Sequence, residues 1–491
     1  MIGQHFKRLS IMSIHISDWY TLNTQTLATP PKLTWRKYHS KFSCIKSLGF
    51  WVLFAVSIGQ PTLAQYTFYE GDHGRLSAGL QVQTASLGEV NNRAGSPDRN
   101  RISDIYWELT VEPNLKGIIY LPRGSQIYSG FSLIYSAMLG YDPSFISQKG
   151  VDPNYKDRWM AEEYYIGWRS GTWLDPQCEY TVDFSLGSQD YKLGSGLLLA
   201  NGTDDGGYRG SYWIGSRTVF INTLISRIKI KNIKLEGFYL ENNPRNLENR
   251  KRYAGINMEY NYATQANFGF SYINDDDYSG DITARTDVYD FRFDFKPFAI
   301  LLPELSISTE YVNQRNNKLT DRDSAHPDLY YYGEMGQKTV QGGFGQIEYK
   351  FVKLPGKLAL SYRYAVMEKG FDYMNFGYKT WGTWFQGEIS GEFIFDTTNL
   401  ITHLTRLVIN PTNNVTMNIN YFNYTFDDPK TFNTTSANYG NEIDFVTDWS
   451  VNEYVDLSAG IETLIPSAGA QQLFGGNKMW LQMMVYASFK F

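Results

Sequence analysis

The stretch Trp480–Phe491, WLQMMVYASFKF, decides the fold class of this chain. Apolar side chains at every second residue, such as Met483 and Val485, alternate with a more polar set. The more polar set includes Gln482 and Ser488. This pattern predicts a β-strand of about ten residues with one face in an apolar medium and the other near water. The apolar medium is either the lipid around a transmembrane β-barrel or the interior of a soluble β-sandwich, and the rest of the chain distinguishes the two.

The same alternation recurs from about residue 75 onward, where residues 76–83 are the predicted first strand. The clearest example is Tyr289–Phe295, in which aromatic side chains alternate with charged ones. Helical spacing never holds for three turns after the first 64 residues. A soluble sandwich hides its aromatic faces, whereas a membrane barrel carries Tyr and Phe on its outer face, often as girdles at the strand ends. The repeated pattern therefore favours the barrel.

The composition agrees with a structure that has one surface in lipid and another in water. The 491 residues include 37 Tyr, 30 Phe and 12 Trp, yet the mean hydropathy is −0.37. No run of about 18 apolar residues follows residue 66, which excludes a helical membrane bundle. At roughly 10 residues per strand plus a connection, residues 65–491 accommodate about 16–18 strands. We therefore predict an all-β fold for residues 65–491, a single large antiparallel transmembrane β-barrel.

Residues 1–64 are predicted to be an N-terminal extension plus a secretory signal peptide. Two lysines precede an apolar segment at 48–58, and Thr62–Ala64 has the small residues of a cleavage site. Of the net charge of −5, residues 1–64 contribute seven Lys and Arg against one Asp, so residues 65–491 carry −11. An acidic exported chain is not expected to bind nucleic acid.

The sequence predicts neither an enzyme nor a cofactor. Residues 65–491 keep one cysteine, Cys178, and three histidines, which are too few to indicate a metal site or a catalytic triad. They contain no G-x-S-x-G, H-E-x-x-H or C-x-x-C-H motif. We therefore expect no catalytic residue, no metal site and no bound cofactor.

The polar faces of the predicted strands supply the lining of a water-filled lumen. The basic candidates are Arg209, Arg217, Arg227, Lys229, Arg292 and Arg363, and the acidic candidates are Glu108, Glu259, Asp290, Asp294, Glu442, Asp444, Asp456 and Glu462. Charges of one sign in a narrow pore select ions, because water screens them poorly there. The alternative is that opposite charges on neighbouring strands pair and only hold the barrel together.

Long polar stretches are predicted to be extracellular loops, and short links that contain proline are predicted to be periplasmic turns. The predicted loops are 89–100, 140–157, 202–210, 313–332 and 427–439. The predicted turns are Lys296–Phe298 and Leu354–Gly356, in which proline presets the backbone of a tight turn.

Two stretches resemble the alginate-export family of bacterial outer-membrane porins. The first is 186–198, LGSQDYKLGSGLL, and its matches to the family pattern, with the downstream arginine, are Gly187, Gln189, Asp190, Gly194 and Arg217. Ser188 stands where the family usually has arginine. The second is Tyr439–Asp444, where Gly440 begins a segment similar to the family's G-x-E-x-D pattern.

The resemblance implies a channel of the bacterial outer membrane that passes a polar solute or an anionic polysaccharide through a charged lumen. Phe491 resembles the sorting signal that the β-barrel assembly machinery reads on a last strand. That machinery and the outer-membrane lipid are therefore the other expected partners. The alternative function is a structural sleeve that houses a partner, such as a multihaem cytochrome of an outer-membrane electron conduit.

Overall fold

The computed structural model describes most of the chain after residue 65. The described residues are 66–96, 103–140, 155–175, 177, 179–203, 213–243, 250–263, 265–277, 284–318, 339–377, 384–395 and 398–491. Residues 1–64, for which the signal peptide is predicted, lie outside them, as does Arg209.

Nineteen strands make up almost all of the regular structure in the described residues. Their aromatic and β-branched side chains alternate with polar ones, a composition that suits a sheet with two different faces. In chain order the strands are Tyr66–Gly71 (β1), Gly74–Val90 (β2), Ser103–Tyr120 (β3), Gln126–Gly140 (β4), Tyr155–Arg169 (β5), Tyr180–Gln189 (β6), Phe220–Ile230 (β7), Ile233–Glu241 (β8), Lys251–Tyr262 (β9), Ala266–Asp277 (β10), Ala284–Phe295 (β11), Leu305–Lys318 (β12), Thr339–Phe351 (β13), Leu358–Met367 (β14), Leu400–Thr412 (β15), Val415–Phe426 (β16), Asn438–Ser450 (β17), Val455–Pro466 (β18) and Trp480–Lys490 (β19).

Strands β2 to β19 close into an antiparallel barrel of 18 strands. Each pairs with the next along the chain, and β19 returns to β2, with register from Leu481 opposite Val90 to Lys490 opposite Gln81. Closure pairs the last strand with the first, so no strand edge is left facing lipid. The prediction of a large antiparallel β-barrel of about 16–18 strands is confirmed.

The short strand β1 lies outside the ring. It forms a hairpin with residues 74–78 of β2, beyond the end of β19. Phe491, just after β19, exchanges two backbone hydrogen bonds with Leu80, at 2.9 and 2.8 Å. The predicted first strand, 76–83, was wrong in its bounds, because β2 runs on to Val90 and its polar half still pairs with β19.

Long and short connections alternate along the chain, so they collect at opposite ends of the barrel. The long end carries the connections that follow β2, β4, β6, β8, β10, β12, β14, β16 and β18, whose described residues are 91–96, 190–203, 213–219, 242–243, 250, 368–377, 384–395, 398–399, 427–437 and 467–479. The short end carries residues 72–73, 121–125, 170–179, 231–232, 263–265, 296–304, 352–357, 413–414 and 451–454. In outer-membrane barrels the short end faces the periplasm.

The described parts of the predicted loops lie at the long end, and the two predicted turns belong to the short end. The bounds of four of the five predicted loops were wrong: 89–100 overlaps β2, 140–157 overlaps β4 and β5, 313–332 overlaps β12, and 427–439 overlaps β17. Strand β2 continues to Val90 and β12 continues to Lys318, because their polar ends still find partners on neighbouring strands. The loops predicted at 140–157 and 202–210 lie largely outside the described residues.

The two faces of the wall differ as the alternation predicts. Phe291 is 50% exposed, while the adjacent Arg292 is 9% exposed. In β19, Val485 is 60% exposed and Gln482 is fully buried. Large apolar side chains therefore cover the outer face, and most polar side chains point inward, which is the arrangement that a lipid environment selects.

The helical segments of the described residues are short. They are Asn92–Gly95, the 3₁₀ turns Pro122–Gly124 and Pro429–Phe432, the π-helical segment Gly387–Phe395 and the α-helix Ala468–Phe474. Within the part of the chain that the structure describes, no helix is long and apolar enough to cross a membrane.

Candidate functional site

Two connections from the long end fold back into the barrel. We call residues 190–203, after β6, the first insert, and residues 368–377 together with 384–395, after β14, the second insert. They are joined by backbone hydrogen bonds: the Asn375 amide donates to the Leu198 carbonyl at 3.0 Å, and the Ala200 amide donates to the Asn375 carbonyl at 2.8 Å. The two inserts therefore form one connected body within the lumen.

An apolar core fixes this body against the inner wall of β7 to β14. The insert side chains in the core are Tyr191, Leu193, Leu197, Leu198, Leu199, Phe371, Met374, Phe376 and Phe385, all buried. Tyr191 packs on Phe238 of β8 with ring centroids 5.0 Å apart, and Phe385 packs on Phe344 of β13 at 5.5 Å. Burial of this apolar surface away from the lumen water favours the inward position of both inserts.

Polar contacts tie the inserts to the wall at defined points. The Ser195 hydroxyl of the first insert donates a hydrogen bond to Glu310 of β12 at 2.5 Å. In the second insert, Asp372 forms an ion pair with Lys251 of β9 at 2.7 Å. These contacts are directional, so they set the position of the inserts more sharply than apolar packing alone does.

Arg292 of β11 lies directly beside the first insert. Its guanidinium donates hydrogen bonds to Asn257 at 2.6 Å and to Ser271 at 2.9 Å, and it pairs with Asp290. Gly194 packs against this guanidinium with a φ of +51°, so a Cβ atom at this position would strike it. The close approach and the left-handed backbone both require glycine at residue 194.

Two further arginines are also buried, and each is bound to other groups of the protein. Arg217, which precedes β7, pairs with Glu162 of β5 at 2.7 Å, and both side chains are almost completely buried. Arg363 of β14 donates to the carbonyl oxygen of Phe385 in the second insert, and its guanidinium carbon lies 3.9 Å from the centroid of that ring. Arg363 thus holds the second insert by a hydrogen bond and a cation–π contact.

Glu442 of β17 holds the π-helical part of the second insert. Its carboxylate accepts hydrogen bonds from the amides of Ile389 at 2.8 Å and Ser390 at 2.9 Å, and from the Ser390 hydroxyl at 2.6 Å. Tyr424 of β16 donates to the same carboxylate at 3.2 Å. Glu442 therefore satisfies backbone donors that a buried segment would otherwise leave unpaired.

Asp444 and Glu462 form an acidic row beside Glu442. Asp444 lies opposite Glu462, and Glu462 lies opposite Gln482, on the neighbouring strands β17, β18 and β19. All four side chains are buried. No lysine or arginine among the described residues forms an ion pair with Glu442, Asp444 or Glu462.

Wall carboxylates also accept backbone donors from the segment that returns to β7. Glu108 of β3 accepts hydrogen bonds from the amides of Trp213 at 3.1 Å and Ile214 at 2.7 Å. Glu108 and Glu442 therefore play the same part at two places on the inner wall. Each anchors an inward segment through its main chain, which does not depend on the side chains of that segment.

Seven of the predicted lining residues fall into three groups. Arg217, Arg292, Arg363, Glu442 and Asp444 are buried, in contact with the inserts or close to them. Lys229 is exposed near the short end, opposite Thr181 and Lys234, and Arg209 lies outside the described residues. Whether these side chains line a conducting path stays a prediction.

The first family-like motif covers the end of β6 and the start of the first insert. Gly187 lies at a register shift between β6 and β7, with a φ of +126°. Gln189 donates to the Thr223 hydroxyl at 2.6 Å, and Asp190 accepts from the Thr218 hydroxyl at 2.5 Å. Gly440 lies in β17, two residues before Glu442.

The sequence pattern was not recognised as predicting the second insert. Its signal was available, because residues 368–377 are rich in glycine and aromatic residues, lack a period of two and are too many for a turn. The first insert was recognised only as a motif, and its inward position depends on contacts with strands far along the chain.

The fold matches solved structures, although no family model and no curated protein matches the chain. OccAB4 of Acinetobacter baumannii aligns with a TM-score of 0.54 at 9% identity, covering 85% of this chain and 98% of its own. OccK9 (OpdG) of Pseudomonas aeruginosa aligns with a TM-score of 0.53 at 12% identity, covering 84% and 98%. A BenF-like porin of Pseudomonas fluorescens aligns with a TM-score of 0.51 at 12% identity, covering 84% and 98%.

These likenesses establish the fold. The chain is a closed antiparallel β-barrel of 18 strands, and its apolar outer face suits a barrel that spans the bacterial outer membrane. The alginate-export resemblance stays a prediction.

Proposed function

We propose that the protein is a passive channel through which small polar solutes cross the outer membrane. The observation that supports this best is the anchored pair of inserts inside a closed barrel. A barrel of 18 strands encloses a wide polar lumen, and two inserts tied to its wall narrow that lumen without depending on a partner. Their anchors, such as Glu310 and Glu442, keep the narrow part in place.

A small solute fits the charge arrangement better than an anionic polysaccharide. Passage of a polyanion favours arginines whose charge is free to meet it. Here Arg217 is paired with Glu162, Arg292 with Asp290, and Arg363 is held by the second insert. The acidic row on β17 and β18 adds repulsion for an anion.

The inserts also argue against the sleeve that houses a protein partner. Such a partner would have to fill the lumen, and the inserts occupy part of that space through a buried apolar core. Displacing them would expose that core to water, which is unfavourable.

Single-channel conductance of residues 65–491 in a planar bilayer tests the proposal. We expect a steady conductance with a preference for cations, and no block by added oligouronate. Heat-modifiable mobility on a gel verifies beforehand that the barrel is folded. A folded barrel without conductance would contradict the channel, and block by oligouronate would favour the polysaccharide.

A variant of the second insert tests whether the inserts set the width. The ring of Phe371 lies over Gly342 of β13, so Phe371→Ala removes a contact between insert and wall. We expect a larger and noisier conductance from this variant. Phe291→Ala, on the outer face, is the matched control and should conduct like the unmodified protein. Equal conductance of all three proteins would show that the insert does not limit the path.

A further inference from the structure

Two neighbouring connections at the short end present apolar side chains to the surroundings. In residues 296–304, Ile300 is 91% exposed and Leu301 is 85% exposed, more than any other large hydrophobic side chain in the described residues. In the next connection around the rim, residues 352–357, Val352 and Leu354 are 55% and 47% exposed. We call residues 296–304 together with 350–357 the rim patch.

The backbone of the first connection holds these side chains outward. The amides of Leu301 and Leu302 both donate to the carbonyl of Phe298, at 3.0 and 2.7 Å, which closes a tight turn. Pro297 and Pro303 flank this turn and restrict its backbone. These hydrogen bonds and the two prolines restrict the turn, so its apolar tip is presented to the surroundings.

The rim patch continues the lipid-facing surface of the strands above it. On β10 and β11, Phe268 and Phe293 pack with ring centroids 4.6 Å apart, and Phe293 stacks on Phe295 at 4.5 Å. On β13, Tyr349 and Phe351 pack at 4.7 Å. Aromatic side chains at the end of the apolar band mark the level of the lipid headgroups. The apolar tips of the rim patch therefore lie at the level of the lipid headgroups.

Lysines surround these apolar tips. Lys296 and Lys353 are exposed, and their side chains form no hydrogen bond or ion pair with any described residue. Lys350 pairs with Glu348 at 3.2 Å, and Lys357 donates to Asn413 at 2.8 Å. A short apolar segment flanked by lysines suits the surface of an anionic membrane, where the apolar part inserts and the lysines meet phosphate.

We propose that the rim patch binds anionic phospholipid in the leaflet at the short end of the barrel. The rim patch contains four lysines and one acidic residue, Glu304. Charge complementarity therefore favours anionic lipid over a second copy of the chain, because two such patches face to face would bring mainly lysines against lysines. The binding would fix the height of this sector in the membrane and enrich anionic headgroups around β11 to β14.

Site-selective lipid quenching tests this proposal on the mature barrel. A fluorescent label is attached at Ile300→Cys in residues 65–491, with Cys178→Ser to remove the other cysteine. The barrel is reconstituted in two sets of phosphatidylcholine vesicles. One set contains a minor fraction of headgroup spin-labelled phosphatidylglycerol, and the other contains the same fraction of headgroup spin-labelled phosphatidylcholine. We expect about twofold or greater quenching by the anionic quencher over the zwitterionic one, because each lysine near the surface attracts anionic lipid.

A matched site and two perturbations make the test specific. Val451→Cys lies in another short connection, residues 451–454, which carries Glu453 and no lysine, and there the two quenchers should act equally. High salt should remove the preference at residue 300, because it screens exposed charges. Lys296→Glu with Lys353→Glu should do the same, and the salt series gives the answer without a mutation if that variant folds poorly.

Three outcomes would overturn the proposal. Equal quenching by both lipids at residue 300 would mean that the tip is immersed without selecting anionic headgroups. A preference that survives high salt would not arise from the lysines. Absence of quenching, accompanied by energy transfer between labelled copies, would assign the rim patch to a contact between barrels.

Discussion

The carboxylates on the inner wall of the barrel have two different environments. From β5 to β11 several of them are paired with cations: Glu162 with Arg217, Asp290 with Arg292, and Glu236 with both Arg227 and Lys234. We call this the paired sector. From β17 to β18, in what we call the acidic sector, Glu442, Asp444 and Glu462 form no ion pair with any described lysine or arginine.

The difference shows that one residue type serves two structural purposes. In the paired sector the carboxylate balances a buried guanidinium, and each group depends on the other. In the acidic sector Glu442 accepts hydrogen bonds from neutral donors of the second insert, so it fixes the position of that insert. Its negative charge is not balanced by a cation of the described residues. Removing a charge should therefore have opposite effects in the two sectors, which is open to measurement.

The largest effect is expected from Arg217→Met in the paired sector. This change leaves Glu162 buried without its cation, and breaking a buried pair in this way costs about 3–5 kcal/mol. Denaturant unfolding of the lipid-reconstituted barrel measures the free energy of unfolding. The double variant Glu162→Gln with Arg217→Met should recover much of the loss. A loss below about 1 kcal/mol, the range of exposed pairs, would contradict the description of this pair as buried and interdependent.

A smaller loss is expected from Glu442→Gln in the acidic sector. The glutamine amide would turn a donor toward the amides of Ile389 and Ser390, so at least one buried donor loses its acceptor, at about 1–3 kcal/mol. Hydrogen exchange at these two amides should become faster. Ser390→Ala, which removes only the hydroxyl donor, is the milder comparison. Unchanged exchange in Glu442→Gln would mean that this carboxylate does not hold the insert.

An effect near zero, or of the opposite sign, is expected from Glu462→Gln. Neither carboxylate oxygen of Glu462 has a hydrogen-bond partner among the described residues, and Asp444 lies opposite it. Removing this charge relieves repulsion and desolvation, so stability should stay the same or rise by about 1 kcal/mol. The same substitution in the paired sector, Glu236→Gln, should destabilise the barrel. Equal losses at both positions would erase the distinction between the sectors.

The smallest effect concerns an ion pair at the rim of the long end. Lys369, at the base of the second insert, donates to Asp428 at 3.0 Å and holds the pKa of that carboxyl below its usual value of 3.8. The stabilisation is complete above pH 3.8 and is lost as the pH falls through the lowered pKa of the folded state. Because this pair is partly exposed, we expect about 0.2–1 kcal/mol.

Acid titration of stability tests this last pair. Asp428→Asn should remove that part of the decline in unfolding free energy below pH 3.8 and leave the value at neutral pH slightly lower. An unchanged acid profile would show that the Lys369 contact contributes nothing in solution.

The alternation in WLQMMVYASFKF and in Tyr289–Phe295 was sufficient to predict a barrel and its two faces. Side chains of a strand alternate between the faces by geometry, so lipid on one side leaves a pattern that is local in sequence. Strand ends were predicted less well, because Val90 and Lys318 belong to polar extensions whose pairing depends on neighbours and not on their own sequence.

The amino-acid sequence by itself thus determined the all-β class, the large size of the barrel and the outward position of residues such as Phe291. Only the tertiary structure decided that the two inserts turn inward and which charges meet there. Glu162 and Arg217 are 55 positions apart, and Ser195 and Glu310 are 115 apart. No local pattern encodes such pairs, because their contact arises only when ring closure brings distant strands around one lumen.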